Sequence, residues 1–276
     1  MPRIVVIGLG CIGGSLVRAL REHNIVASGW STSADDCAQA RAHGLHVSEP
    51  TLTDSVRHAD LVVIAVPAQS IAQVAAAVIA SAPRDAAIVH CGGVQSAAAL
   101  ELDPSTTARV IGAHPLAGSH DSGFAASRSN LFVGCTVSVE ARASEHVRGW
   151  MQWMWTGAGA ARVEYRPASE HDALMAWISQ LPQLAATALA ATMAGAHVEP
   201  RSVGPGARDS TRLAASTYEQ WSTLVRAEPT VLAHALSELE SHVAEIRHAL
   251  GERDDAALRA IWESARAWRR DAEAGA

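Results

Sequence analysis

The sequence predicts an α/β protein, with a doubly wound parallel sheet over residues 1–163 and an all-helical part over residues 164–276. A glycine motif follows directly on a short apolar strand near the N-terminus. Apolar, β-branched runs then alternate with helical segments as far as about residue 162, which is typical of such a sheet. Beyond that point we expect no more strands, because the remaining apolar residues recur at helical spacing.

Composition limits the possible functions. The 276 residues are 49% hydrophobic and carry a formal net charge of -6. Because no basic stripe is present, we do not expect a nucleic-acid partner. The four scattered cysteines have no metal-type spacing, which suits a reducing compartment and predicts no metal site. No apolar run is long enough for a membrane span, so we expect a cytoplasmic protein.

The first strand and its glycine loop predict a nucleotide site. The predicted strand, residues 3–7, is apolar after Arg3, the loop reads Gly8-x-Gly10-x-x-Gly13, and a helix is expected from Leu16 to Arg21. In this context the loop is typical of a Rossmann-type domain, in which the helix N-terminus faces a pyrophosphate. We therefore predict NAD or NADP as cofactor. Its expected contacts in this loop are Gly8, Leu9, Gly10, Cys11, Ile12 and Gly13.

The end of the second predicted strand, residues 26–30, bears on the choice of cofactor. NAD-specific domains place a carboxylate there, on the ribose 2′-hydroxyl. This chain has Ser31, which would not repel a 2′-phosphate, but no arginine nearby is obviously suited to bind one. The choice between NAD and NADP stays open.

Four further strands are predicted at residues 60–67, 86–90, 109–113 and 135–139. A helix from Ser70 to Ala80 is expected after the first of them, since proline suits a strand exit and a first helical turn. Ligands bind at the carboxyl ends of strands in such sheets. The residues expected to contact the cofactor after these strands are Val66, Pro67, Gly92 and Gly93.

The segment from His114 to His120 is predicted to be a loop after the strand at residues 109–113. A histidine there can take a proton near neutral pH, since its unperturbed pKa is roughly 6.5. From the residues alone, the more common alternative is that His114 caps a turn or bonds a nearby carbonyl.

The second half predicts helices. One is expected to begin near Ser169 and to run to Ala194 with a kink at Pro182, because proline cannot continue the helical hydrogen bonds. Large apolar helical faces often mark subunit interfaces, so we expect a homodimer joined through this half.

Together, motifs along nearly the whole chain resemble the prephenate/arogenate dehydrogenase family of tyrosine biosynthesis. They are the glycine loop, His114-Pro115-Leu116-Ala117-Gly118-Ser119, His171-Asp172, Ser179-Gln180-Leu181-Pro182, Gly206-Ala207-Arg208-Asp209-Ser210-Thr211-Arg212 and Trp221.

The resemblance implies a Rossmann domain followed by a helical domain that dimerises. It also implies hydride transfer from ring carbon C4 of a cyclohexadienyl substrate to NAD(P), with loss of CO2, giving 4-hydroxyphenylpyruvate or tyrosine. His114 would accept the C4 hydroxyl proton, and Arg212 would hold a carboxylate in two parallel hydrogen bonds. The other expected substrate contacts are Ser119, His120, Ser179, Gln183 and Trp221.

The chain departs from the family pattern at the expected substrate site. Gly93 stands where the family usually has a serine, and Gln180 and Gln183 stand where it has histidines, which unlike glutamine can carry charge. Prephenate or arogenate is the first expectation, and 4-amino-4-deoxyprephenate of a natural-product pathway is an alternative. An alternative of another class is a catalytically silent dinucleotide-binding sensor or partner protein.

Overall fold

The computed structural model describes residues 2–48, 50–119 and 121–274. The chain divides into two compact units, residues 1–228 and 229–276. Every cleft considered below is lined by residues of the first unit alone.

The first unit contains a mixed sheet whose strands lie in the order β3-β2-β1-β4-β5-β6-β7-β8. All neighbouring pairs are parallel except β6 and β7, which are antiparallel. This arrangement confirms the predicted doubly wound α/β class. The strands in the described residues are β1 Ile4–Ile7, β2 Ala27–Trp30, β3 His46–Val47, β4 Leu61–Ile64, β5 Ala87–His90, β6 Val110–Pro115, β7 Thr136–Glu140 and β8 Arg162–Arg166.

The core lies on both faces of this sheet. Along β1, Ile4 and Val6 pack into one apolar cluster, whereas Val5 and Ile7 pack into the other, because successive side chains point to opposite faces. Burial on both faces explains why β1 reads as an unbroken apolar run. Each such side chain stabilises the fold by roughly 1.5–3 kcal/mol relative to exposure.

Two expectations about strands are wrong. Strands do not stop at about residue 162, since β8 pairs in parallel with β7 and runs three residues past the expected boundary between residues 163 and 164. Its sequence lacks an apolar run because it lies at the edge of the sheet, partly exposed. His114 and Pro115 are also not in a loop but form the end of β6, paired with Ser138 and Val137 of β7.

The helices are mostly short in the first unit and long in the second. None in the described residues is both long and apolar enough to cross a membrane. In the first unit they are α1 Cys11–Glu22, α2 Ala34–Ala42, α3 Leu52–Val56, α4 Ile71–Ser81, α5 Pro104–Arg109, α6 Glu145–Gly157, α7 Ala168–Met175, α8 Leu181–Gly195, α9 Pro205–Thr211 and α10 Tyr218–Trp221. In the second unit they are α11 Pro229–Glu252 and α12 Asp255–Ala274.

The helix break expected at Pro182 takes the form of a π-helical turn, Ala176–Gln180, between α7 and α8. A proline removes one N–H donor and its ring blocks the carbonyl four residues earlier, and a wider turn accommodates both effects. The preceding helix begins at Ala168, one residue before the expected Ser169. The turn carries Ile178 and Ser179 into the wall of a cleft described below.

Candidate active site

In the glycine loop between β1 and α1, two glycines are required by close backbone packing and one faces open space. A Cβ at Gly8, whose φ is +96°, would lie 2.4 Å from the carbonyl oxygen of Ala65. A Cβ at Gly13 would lie 1.9 Å from the carbonyl oxygen of Gly8. A Cβ at Gly10 would meet no described atom within 4 Å. Backbone packing therefore requires the first and third glycines, whereas the second leaves room for a ligand to approach.

A cleft of about 530 Å³ lies beside this loop. Gly10 caps α1 without a side-chain hydrogen bond, and the first turn of α1 has no acidic residue. The free N–H groups and positive end of a helix bind phosphate. These residues therefore fit a dinucleotide pyrophosphate. The predicted cofactor residues that line this cleft are Gly8, Leu9, Gly10, Ser31, Val66 and Pro67.

A second cleft of about 370 Å³ shares Pro67 with the first and contains His114. Other predicted residues in its wall are Cys11, Ile12, Gly93, Ser119 and Trp221. Two predicted cofactor residues, Gly13 and Gly92, are buried and do not line either cleft.

His114, at the end of β6, is linked to two buried residues of α7. Its Nδ1 lies 3.0 Å from Nε2 of His171, and Nδ1 of His171 lies 2.7 Å from Oδ1 of Asp172. The two carboxylate oxygens of Asp172 also accept the backbone N–H groups of Gln95 and Ser96, each at 2.8 Å. His171 and Asp172 are both 0% exposed. The carboxylate of Asp172 is thus fixed by two backbone N–H groups and in turn fixes the ring of His171.

This chain of hydrogen bonds selects one proton arrangement. The carboxylate of Asp172 accepts the Nδ1 proton of His171, so Nε2 of His171 is left as an acceptor in the neutral ring. That nitrogen accepts the Nδ1 proton of His114, which leaves Nε2 of His114 without a proton. Burial, together with smaller effects of the nearby His171 and His90, lowers the pKa of His114 to about 3. His114 is therefore neutral at pH 7 and can accept a proton at Nε2.

Gly93 faces that same nitrogen. A Cβ built there would lie 3.7 Å from Nε2 of His114 and 3.1 Å from Cδ2 of Leu224. Because residue 93 is glycine, no side chain lies at this position beside the proton-accepting nitrogen, and Leu224 crowds the place that a Cβ would take.

A third cleft, of about 440 Å³, shares Ser119 and Trp221 with the second. It brings together the polar side chains of Ser179, Gln183, Arg212 and Arg128, the last of which the sequence reasoning missed. His120 lies outside the described residues.

Gln183 is held in one orientation in this wall. Its Nε2 donates to the carbonyl oxygen of Leu213 at 2.9 Å, so its Oε1 is the atom left without a partner among the described residues. The neighbouring Gln180 is 0% exposed and lines none of the three clefts.

Sequence reasoning also gave no role to His171, Asp172 and Gln95. The pair His171-Asp172 was visible as a motif, but only the fold brings it to His114, 57 residues earlier in the chain. No sequence signal distinguishes Arg128 from other surface arginines.

The sheet, the glycine loop and the phosphate-binding end of α1 define a dinucleotide-dependent dehydrogenase, and a neutral histidine lies at the end of β6 in the neighbouring cleft. A model of the prephenate dehydrogenase nucleotide-binding domain matches residues 16–140, and a model of the prephenate dehydrogenase dimerization domain matches residues 167–264. The chain belongs to the prephenate dehydrogenase family.

Individual relatives agree with this. The cyclohexadienyl dehydrogenase of Zymomonas mobilis is 29% identical over 91% of this chain and 89% of its own length. The prephenate dehydrogenase of Lactococcus lactis is 26% identical over 95% of this chain and 75% of its own length. The prephenate dehydrogenase of Aquifex aeolicus, solved with hydroxyphenyl propionate and NAD+, superimposes with a TM-score of 0.85 over 98% of both chains at 22% identity.

Proposed function

We propose that this protein catalyses the oxidative decarboxylation of prephenate or arogenate, with hydride transfer from ring carbon C4 to NAD or NADP. The products are 4-hydroxyphenylpyruvate and tyrosine, respectively. The observation that carries the proposal is the hydrogen bond between Nδ1 of His114 and His171, which leaves Nε2 of His114 to accept a proton. His114 lines a cleft that shares residues both with the cleft beside the glycine loop, the dinucleotide cleft, and with the cleft that contains Arg128 and Arg212, the arginine cleft.

The glycine loop holds the cofactor by its pyrophosphate, at the N-terminus of α1, and Ser31 lies at the expected ribose. The bound nicotinamide supplies the acceptor for the hydride. The residues Cys11, Ile12, Pro67 and Gly93 line the His114 cleft and would hold the nicotinamide ring beside the substrate.

His114 accepts the C4 hydroxyl proton at Nε2, which supports departure of the hydride from C4. The bond from the ring to its carboxylate then breaks and CO2 leaves. The electrons of that bond complete the aromatic ring, and the C4 oxygen takes the proton back from His114 to become the hydroxyl of the product. His171 and Asp172 are positioning residues in this step. As His114 takes a proton at Nε2 it can release its Nδ1 proton to His171, which places the positive charge beside the carboxylate of Asp172.

The third cleft holds the end of the substrate remote from C4. Arg212 binds a carboxylate, because a guanidinium offers two parallel donors to it. The other proposed contacts are Ser119, Ser179, Gln183 and Trp221, together with His120 outside the described residues. The protein acts in the cytoplasm as a homodimer through its helical part, residues 164–276.

The test is the absorbance of reduced nicotinamide. Purified protein is mixed with NAD or NADP and, separately, with prephenate, arogenate and 4-amino-4-deoxyprephenate. We expect turnover with prephenate or arogenate. Turnover with 4-amino-4-deoxyprephenate alone would contradict the proposal, and so would folded protein that binds NADH but turns over none of the three.

A further inference from the structure

Arg128 sits at the end of a loop that is held tightly against α1. The backbone N–H of Arg128 donates to Oγ of Ser15 at 2.9 Å, and Nη1 of Arg18 donates to the carbonyl oxygen of Ser127 at 2.7 Å. The loop also buries the ring of Phe124, and a Cβ on Gly14 would lie 2.9 Å from that ring. These contacts use the backbone around Arg128 and involve no atom of its side chain.

The side chain of Arg128 lines the same cleft as Arg212. Within the described part of the chain, neither guanidinium has a hydrogen bond or ion pair to a protein group, and no Asp or Glu lines this cleft. Two guanidiniums in one cleft without a carboxylate repel each other, and an anionic ligand with two negative groups removes that repulsion.

We propose that Arg128 is a second carboxylate-binding residue, so that Arg128 and Arg212 together make this cleft specific for a dicarboxylate. The inference rests on the proposed function and deepens it. Prephenate and arogenate carry both carboxylates at the C1 end of the ring, opposite C4. With C4 at His114, that end points toward the arginine cleft, which shares Ser119 and Trp221 with the His114 cleft.

The two arginines then have different tasks. Arg212 holds the carboxylate of the side chain, which stays on the product, and Arg128 holds the ring carboxylate, which leaves as CO2. The ring carboxylate still carries its charge while the hydride leaves C4, so its pairing with Arg128 stabilises the bound substrate and the transition state of that step about equally. Loss of Arg128 therefore raises KM and changes kcat little.

The experiment compares Arg128→Gln, Arg128→Lys and Arg212→Gln with wild type. Arg201→Gln, an exposed arginine that lines none of the three clefts, is the matched control. Steady-state kinetics use whichever of prephenate and arogenate the wild type turns over. The inhibition constant of 3-(4-hydroxyphenyl)propionate, which has one carboxylate and keeps the aromatic ring, is measured in parallel.

For Arg128→Gln we expect KM to rise roughly ten-fold or more, since a charged hydrogen-bonded pair contributes about 1.5–3 kcal/mol. We expect kcat within about three-fold of wild type and an unchanged inhibition constant for the monocarboxylate. Arg128→Lys should recover part of the loss, Arg212→Gln should weaken both ligands, and Arg201→Gln should match wild type.

An unchanged KM in Arg128→Gln would overturn the inference, and so would equal weakening of the dicarboxylate and the monocarboxylate. Absence of turnover in the wild type would instead mean that the proposed function fails, and the inference would fall with it.

Discussion

Nδ1 of His114 lies 3.0 Å from Nε2 of His171, although the two residues are 57 positions apart in the chain. The ring planes meet nearly edge to face, at 81°. Because Asp172 anchors the far side of His171, the contact orients the ring of His114 and leaves its Nε2 free of a proton in the neutral state.

Replacing His114 by asparagine should remove the proton acceptor and leave the dinucleotide cleft intact. We expect kcat to fall roughly a hundred- to ten-thousand-fold, the range typical of a general base. Binding of NADH, followed by its fluorescence, should match wild type. A wild-type kcat in His114→Asn would show that the proton goes elsewhere.

Replacing His171 by glutamine tests whether the relay, the hydrogen-bonded series His114, His171 and Asp172, positions His114 for the reaction. We expect kcat to fall about ten- to a hundred-fold, with KM nearly unchanged and the acidic limb of the pH–rate profile displaced, because His114 loses the ring that orients it. His58→Gln, at an exposed histidine, is the control. If the pH–rate profile keeps its wild-type shape, the role of His171 is structural only.

Stability should fall as the pH is lowered from about 6.5 to about 4. Burial lowers the pKa of His90 to about 4 and that of His114 to about 3, whereas both should titrate near 6.5 in the unfolded chain. The unfolded state therefore binds more protons in this window, and the stability present above pH 6.5 is lost on acidification. We expect a loss on the order of a few kcal/mol.

Urea unfolding at several pH values measures this loss. The free energy of unfolding should change less steeply with pH in His114→Asn than in wild type. Parallel slopes for the variant and the wild type would argue that His114 does not titrate as its burial requires.

The glycine loop offers a paired test of binding against folding. Gly10→Val should fold with a nearly wild-type melting temperature and lose NADH binding, because its side chain extends into space that only a ligand needs. Gly13→Val should lower the melting temperature, since its Cβ would overlap the carbonyl of Gly8. Normal NADH binding by Gly10→Val would contradict the placement of the pyrophosphate.

Gly93→Ser should add a hydroxyl beside Nε2 of His114, at the position where the family pattern has serine. One well-placed donor near a reacting oxygen can contribute a factor of roughly ten to a thousand, so we expect kcat/KM for the preferred substrate to rise about ten-fold. Gly93→Ala adds the same Cβ, 3.1 Å from Leu224, without the hydroxyl and should bring no gain. Equal behaviour of the two variants would mean that only the added bulk matters.

The sequence by itself determined the class of fold, the dinucleotide loop and the identity of His114 and Arg212 as the residues to test. These features depend on local patterns, such as unbroken apolar strands and glycines required by backbone packing at Gly8 and Gly13. Such patterns are visible in the sequence because an apolar strand, a fixed glycine spacing and a helix follow one another within one short stretch of chain.

Only the tertiary structure decided what surrounds those residues. β8 was missed because its partly exposed residues at the edge of the sheet lack an apolar run. The relay to Asp172 and the meeting of Arg128 with Arg212 join segments far apart in the chain. Such long-range contacts depend on how helices and strands pack, and no periodicity or spacing within a single segment encodes which distant side chains will share a cleft.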